Sequence, residues 1–179
     1  TDTRYRMNKK GHLLNGALLA IGLAFIRFPL GDQPPQADVL ALLTDMARLL
    51  PPVVLGAMLP DIDTEFGKHR KTLHNLPLLA GFVAYPYVFG NMEFVWVGIA
   101  THYVLDVFGS KRGIALFYPL SSTETGLPIG VKTTSNWAGL MTVAITGFEL
   151  AVFALFALVL FPNFDFQLSA VEQAIGGIQ

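Results

Sequence analysis

FVWVGIATHYVLDVF, residues 94–108, is an apolar run that carries His102 and Asp106 four residues apart. Ionisable side chains in a run that can enter a bilayer are costly unless they meet each other, a metal or a substrate. On a helix an i, i+4 pair projects from one face, the spacing of two ligands on one cation. Taken alone, the pair is more simply explained by a histidine bonded to a neighbouring helix and an aspartate capping the next loop. The rest of the chain shifts that balance. His12, Asp61, Asp63, His69 and His74 also stand at the ends of apolar stretches, in Gly11-His12, Pro60-Asp61-Ile62-Asp63 and His69-Arg70-Lys71-Thr72-Leu73-His74, so every histidine of the chain belongs to one pattern.

Composition points to a membrane. The 179 residues are 53% hydrophobic and 14% charged, whereas a soluble domain carries about a quarter charged residues. Mean hydropathy is +0.51. The expected fold is all-α, a polytopic membrane helix bundle of about five spans forming a single integral domain over residues 1–179. The net charge of −1, with scattered Lys and Arg, excludes a basic nucleic-acid-binding face. With no cysteine, any metal must be held by nitrogen and oxygen ligands. The basic Arg4, Arg6, Lys9 and Lys10 precede an apolar run in the manner of a signal peptide. No small-residue cleavage site closes the run, and cleavage would remove His12, so the segment is read as a retained span.

That first span is Leu13 to Phe28, followed by Pro29 and a polar turn from Gly31 to Gln36. An amphipathic segment, Ala37 to Leu50, is expected to break at Pro51-Pro52 before the apolar Val53 to Leu59, giving a kinked helix or a surface helix feeding a short span. Leu76 to Phe89 and Phe94 to Phe108 read as an antiparallel hairpin whose open ends bring His74 and Asp106 together. A polar loop, Gly109 to Asn136, leads to a final anchoring span, residues 137–161, in which Glu149 is expected to face other helices. Lys and Arg cluster in the N-terminus, in the loop with Lys68, Arg70 and Lys71, and in the loop with Lys111, Arg112 and Lys132. The positive-inside rule then places the N-terminus and all the motif ends in the cytoplasm and the C-terminus outside.

Seven candidate metal ligands, His12, Asp61, Asp63, His69, His74, His102 and Asp106, exceed what one catalytic zinc needs. Two metals sharing a carboxylate fit the number better, and such sites hydrolyse phosphoesters. Arg70 is the expected phosphate contact, and Asp63 the expected general base. For Lys68 and Lys71, retention of the loop in the cytoplasm is sufficient explanation.

At these residues the chain resembles the LexA-binding, inner membrane-associated metal-dependent hydrolase family. The resemblance rests on Gly11-His12-Leu13-Leu14, Leu59-Pro60-Asp61-Ile62-Asp63, His69-Arg70 with His74, His102 with Asp106, and a later Gly113, Leu116 and Tyr118-Pro119. These motifs span a core of about residues 8–130 in the family's order; the last span matches only as an apolar segment. The resemblance implies a multi-pass protein of the bacterial inner membrane. A more distant similarity to zinc-dependent phospholipase C and to zinc nucleases implies phosphoester chemistry. One departure stands out. The family tends to read His-Arg-Gly-x-Thr-His-Ser where this chain has His69-Arg70-Lys71-Thr72-Leu73-His74-Asn75, and Lys71 in the glycine's place is expected to intrude on a substrate pocket.

The leading expectation is a membrane-embedded metal-dependent hydrolase of a phosphoester such as a lipid headgroup, using one or two divalent ions, zinc first, with manganese or iron as alternatives. Membrane lipid is the expected partner. The alternative is a non-catalytic accessory subunit that keeps the metal site as a staple and docks on a larger membrane complex through Phe148, Phe153, Phe156 and Phe161. A metal transporter is disfavoured, because the ligands gather at one membrane face and not at mid-depth.

Overall fold

The computed structural model describes residues 3–27, 35–132 and 135–160, and the side chains of 9–27, 38–132 and 135–160. The elements are α1 (Thr3–Arg27), α2 (Pro35–Met58), a 3-10 turn (Pro60–Ile62) leading into the one-turn α3 (Asp63–Phe66), α4 (Leu76–Phe89), α5 (Val95–Val104) and α6 (Ala138–Ala154). α5 runs on as a π-helical turn, Leu105–Gly109, and α6 as another, Leu155–Leu160. Among the described residues there is no strand; Ser110 with Val131 and Ile114 with Thr125 form isolated bridges within the 109–136 loop.

The helices alternate in direction, and cross-helix neighbours fix the alternation. Gly16 lies against Val53 and Ala57 while Arg27 pairs with Asp45, so α1 and α2 are antiparallel. α2 and α5 are parallel: Arg48 pairs with Glu93, Gly56 meets Gly98, and the Ala57 carbonyl meets His102. α6 lies parallel to α1, through Gly11 with Thr142, Asn15 with Thr146 and Gly22 with Leu150. Consequently the start of α1, the end of α2, the start of α4, the end of α5 and the start of α6 share one end of the bundle. Every expected site residue is at that end.

Small residues make the central contact possible. A Cβ on Gly56 would overlap the Val95 carbonyl, and one on Gly98 the Val53 carbonyl, so the α2 and α5 backbones touch. In a membrane, where burial of apolar surface does not drive helices together, such close approach is the usual source of association. A core of Leu19, Leu23, Leu49, Val53 and Phe94 fills the end away from the site. Val95, Ile99, Tyr103 and Ile114 form a second core beneath it.

One of the two alternatives at Pro51-Pro52 is corrected: α2 is continuous through both prolines, a single helix and not a surface helix feeding a separate short span. Each proline removes a backbone donor, but the buried Leu49, Val53 and Ala57 hold the segment against α1 and α5, and this packing outweighs the lost bonds. The long helices number five, α1, α2, α4, α5 and α6. By length and composition, the stretches Asp38–Phe66 and Ala138–Leu160 are able to cross a membrane, and Leu76–Phe89 and Val95–Gly109 are apolar but shorter. The first helix begins ten residues earlier than Leu13, at Thr3, and Pro35 and Gln36 belong to α2 and not to the turn. The remainder of that turn, Phe28, Phe161 and the tail beyond lie outside the described residues.

Candidate metal centre

Local sequence explains how each motif reaches the site. Asn75 caps α4, its Oδ1 accepting from the Leu78 amide at 3.0 Å, with Pro77 in the first turn. The cap ends the extended loop directly after His74 and fixes where that ring stands. From α5, the Tyr103 hydroxyl accepts from the Asn75 amide at 3.0 Å and lies 2.7 Å from the Leu73 carbonyl, clamping the backbone on both sides of His74. Pro60 opens the short turn that carries Asp61 and Asp63 inward. The π turn after α5 keeps Asp106 buried beneath His102.

His12, Asp61, Asp63, His74, His102 and Asp106 are all buried, and His69 stands at the rim with its side chain 36% exposed. His102 Nδ1 donates to the Ala57 carbonyl at 2.7 Å. His74 Nδ1 meets Asp63 Oδ2 at 3.0 Å. In neutral rings so held, both Nε2 atoms are lone pairs, yet they lie 3.0 Å apart. Asp61 Oδ1 is 3.9 Å from each of these nitrogens, and Asp106 Oδ2 is 3.6 Å from His74 Nε2 and 3.7 Å from His102 Nε2. A tetrahedral zinc with bonds of about 2.0–2.1 Å has ligand-to-ligand edges of about 3.3–3.4 Å. The four atoms bracket that edge. Lone pairs converging without a proton between them repel, and a cation at their centre removes the repulsion.

Charge leads to the same conclusion. Asp61, Asp63 and Asp106 are buried with one buried guanidinium, Arg70, so carboxylates outnumber guanidinium by two among these buried side chains. Buried charge without a partner is strongly unfavourable, and a divalent ion matches the deficit. A second metal-ligating group adjoins the first. His12 stacks on His102 with ring centroids 3.7 Å apart, and its Nε2 lies 3.6 Å from Asp106 Oδ1. Asp106 thus presents one oxygen to each side, the geometry of a bridging carboxylate. Two buried-edge groups, His12 with His102 and Asp106, and Asp61 with His69 and His74, each place their ligand atoms within 4.8 Å of one another and are able to hold a metal ion.

Three residues have partners that the sequence did not suggest. Asp63, the expected metal ligand and base, has Oδ1 at 3.0 Å from His69 Nδ1 and Oδ2 at 3.0 Å from His74 Nδ1 and 3.3 Å from the Leu73 amide. It orients two imidazoles from behind, as carboxylates behind metal-bound histidines do. Arg70 was expected to hold phosphate; it is buried, has φ of 67°, and donates from Nη1 to Ser110 Oγ at 3.1 Å and the Gly113 carbonyl at 2.9 Å. It ties the histidine loop to the 109–136 loop. Lys71, expected to fill a pocket, reaches the Ser122 carbonyl at 3.2 Å on the exposed side. In the same loop Arg112 forks onto Glu124 at 2.6 and 3.1 Å, and this hydrogen-bonded pair holds the Glu124 carboxyl below its ordinary range against the smaller effect of burial.

Sequence reading missed Tyr103, Ser110 and the Ala57 carbonyl. It also missed a cavity of about 250 Å³ beside the cluster, between the starts of α1 and α6, with His12 and Asp106 in its wall. Tyr103 had one legible signal, its position next to His102; a backbone carbonyl had none.

A family model, the YdjM inner membrane protein, matches residues 7–172, and the chain belongs to that inner membrane family. Neither the curated proteins nor the solved structures contain a match to it.

Proposed function

As a member of the YdjM inner membrane protein family, the protein, we propose, is a metal-dependent phosphoester hydrolase of the bacterial inner membrane. It crosses the membrane about five times with its N-terminus and site in the cytoplasm. The alternating helix directions support that topology, and so do the cationic Lys68, Lys111 and Lys132 in segments at the site end. The observation that carries the enzymatic reading is the cavity walled by His12 and Asp106. A metal that only stapled helices would need no such space beside its ligands.

In this reading Asp61, His74, His102 and Asp106 would hold a metal ion, and His12 beside Asp106 would be available to a second. Zinc suits the imidazole and carboxylate set, with manganese or iron next. Bound ions supply Lewis acidity and a water ionised near neutral pH. His69, at the rim and fixed through Nδ1 by Asp63, is placed to move a proton between water and the leaving oxygen. Asp63 prevents the His69 and His74 rings from rotating, and burial of His74 and His102 excludes bulk water from the ions.

The test is metal analysis of the full-length protein purified without added metal, combined with phosphate release from a panel of phospholipids and soluble phosphoesters. Tightly bound zinc and release that vanishes in His102→Ala are expected. Full metal occupancy with no release from any member of the panel would favour the accessory-subunit reading.

A further inference from the structure

We propose that the cavity between α1 and α6 receives the apolar part of an anionic lipid, whose phosphate group then meets the ligand cluster from within the bilayer. This rests on the phosphoester reading above and names its substrate class. The cavity wall is mainly apolar. His12 and Asp106 form its inner wall, Leu14, Leu105 and Met141 give it apolar sides, and Lys10 is exposed at the rim.

Three observations favour a lipid over a soluble phosphoester. The exposed part of the wall is apolar at Leu14, and Leu13, Leu140 and Val143 are exposed elsewhere on the two flanking helices, surfaces suited to acyl chains. Two glycines line the gap, and the space beside each is open. A Cβ on Gly139, in the cavity wall, would meet no atom within 4 Å, and one on Gly11 opposite would meet only Thr142 Oγ1 at 3.6 Å. Third, His12 Nδ1 is buried and has no hydrogen-bond partner among the described residues. A buried polar atom left unpaired is unfavourable, and a ligand oxygen in the cavity satisfies it. Lys10, a flexible point charge with an apolar stem, suits a phosphate at the depth of lipid headgroups.

The test measures binding, which does not require turnover. Full-length protein in nanodiscs, loaded with zinc, is titrated with dioctanoyl phosphatidate, glycerol 3-phosphate and inorganic phosphate. The wild type is expected to bind phosphatidate at least tenfold more tightly than either soluble anion. Gly139→Phe fills the gap and is expected to weaken phosphatidate at least tenfold. Leu14→Gln, at an exposed position that folding does not need, is expected to act in the same direction. Equal affinity for all three ligands, or no effect of either variant on phosphatidate, would overturn the proposal. Phosphate release is read separately. Selective phosphatidate binding without release would sink the hydrolase reading and leave the lipid site standing, whereas release from glycerol 3-phosphate with no selective lipid binding would do the reverse.

Discussion

His74 and His102 face each other through Nε2 atoms 3.0 Å apart, and neither ring is free to turn away, because Asp63 holds one Nδ1 and the Ala57 carbonyl the other. The arrangement is stable only with a cation or a shared proton between the rings. It makes metal occupancy the property most sensitive to these residues.

His102→Ala and His74→Ala are each expected to reduce bound metal to background, since each removes one of few imidazole ligands. Asp63→Asn should behave differently. Its side chain is bonded to His69 and His74, so affinity is expected to fall about 10–100-fold without vanishing. Competition with a chromogenic zinc chelator measures both.

Stripping the metal is expected to lower thermal stability, and zinc should restore it. A ligand bound at 100 times its Kd adds about 2.7 kcal/mol to the folded state. Thermal melts of chelator-treated protein with and without returned zinc check this. An unchanged midpoint would mean that the cluster does not bind zinc in the folded protein.

Arg70→Ala and Lys71→Ala should separate sharply despite their adjacency. Arg70 is buried against Ser110 and the Gly113 carbonyl, and its loss is expected to cost about 2–4 kcal/mol. Lys71 reaches only an exposed carbonyl, and its loss should stay within about 0.5 kcal/mol. Lys71→Gly is accordingly expected to leave phosphate release unchanged, not raise it.

Gly98→Ala is expected to reduce metal occupancy at a distance. Its methyl group would overlap α2, and separating α2 from α5 moves the Ala57 carbonyl away from His102. Metal analysis beside a control at Gly81, where a Cβ meets nothing within 4 Å, tests the effect.

The chain has no cysteine, so single cysteines report topology cleanly. Residues introduced at Asn91, in the turn between α4 and α5, and at Ser122, in the 109–136 loop, are expected to react with an impermeant thiol reagent from opposite faces. Labelling from one face would remove the crossing by the hairpin.

The membrane setting and the gathering of histidines and aspartates at one end were legible because both are written in residue type and order: apolar runs, and histidines and aspartates at their ends. The proximity of His74 to Asp106 followed from the hairpin alone. Roles within the site were not legible, since Asp63 and Asp61 differ only in what each meets across the bundle. Arg70 illustrates the same limit. A guanidinium in a histidine loop suits phosphate equally well as it suits the carbonyl it actually bonds, and only the path of a loop some forty residues onward decides. Continuity through Pro51-Pro52 was hidden because local propensity yields to packing against α1 and α5. The cavity was hidden because it depends on how α1, the end of α5 and α6 come together.

Asn15 donates to Thr101 Oγ1 at 2.7 Å, Thr101 donates to the Glu149 carboxylate, and Thr146 donates to Asn15 Oδ1 at 2.5 Å. This network has a consequence for biosynthesis. The ligand set is complete once Asp106 has been made, before α6 begins at Ala138. During synthesis, Asn15 and Thr101 can already join the first and fourth long helices, while α6 must still bring a carboxylate through the hydrocarbon. That carboxylate finds its hydroxyl partner only in one rotational setting of α6. The late helix therefore has a lock awaiting it, and the same docking step that satisfies Glu149 also raises the second wall of the cavity beside His12.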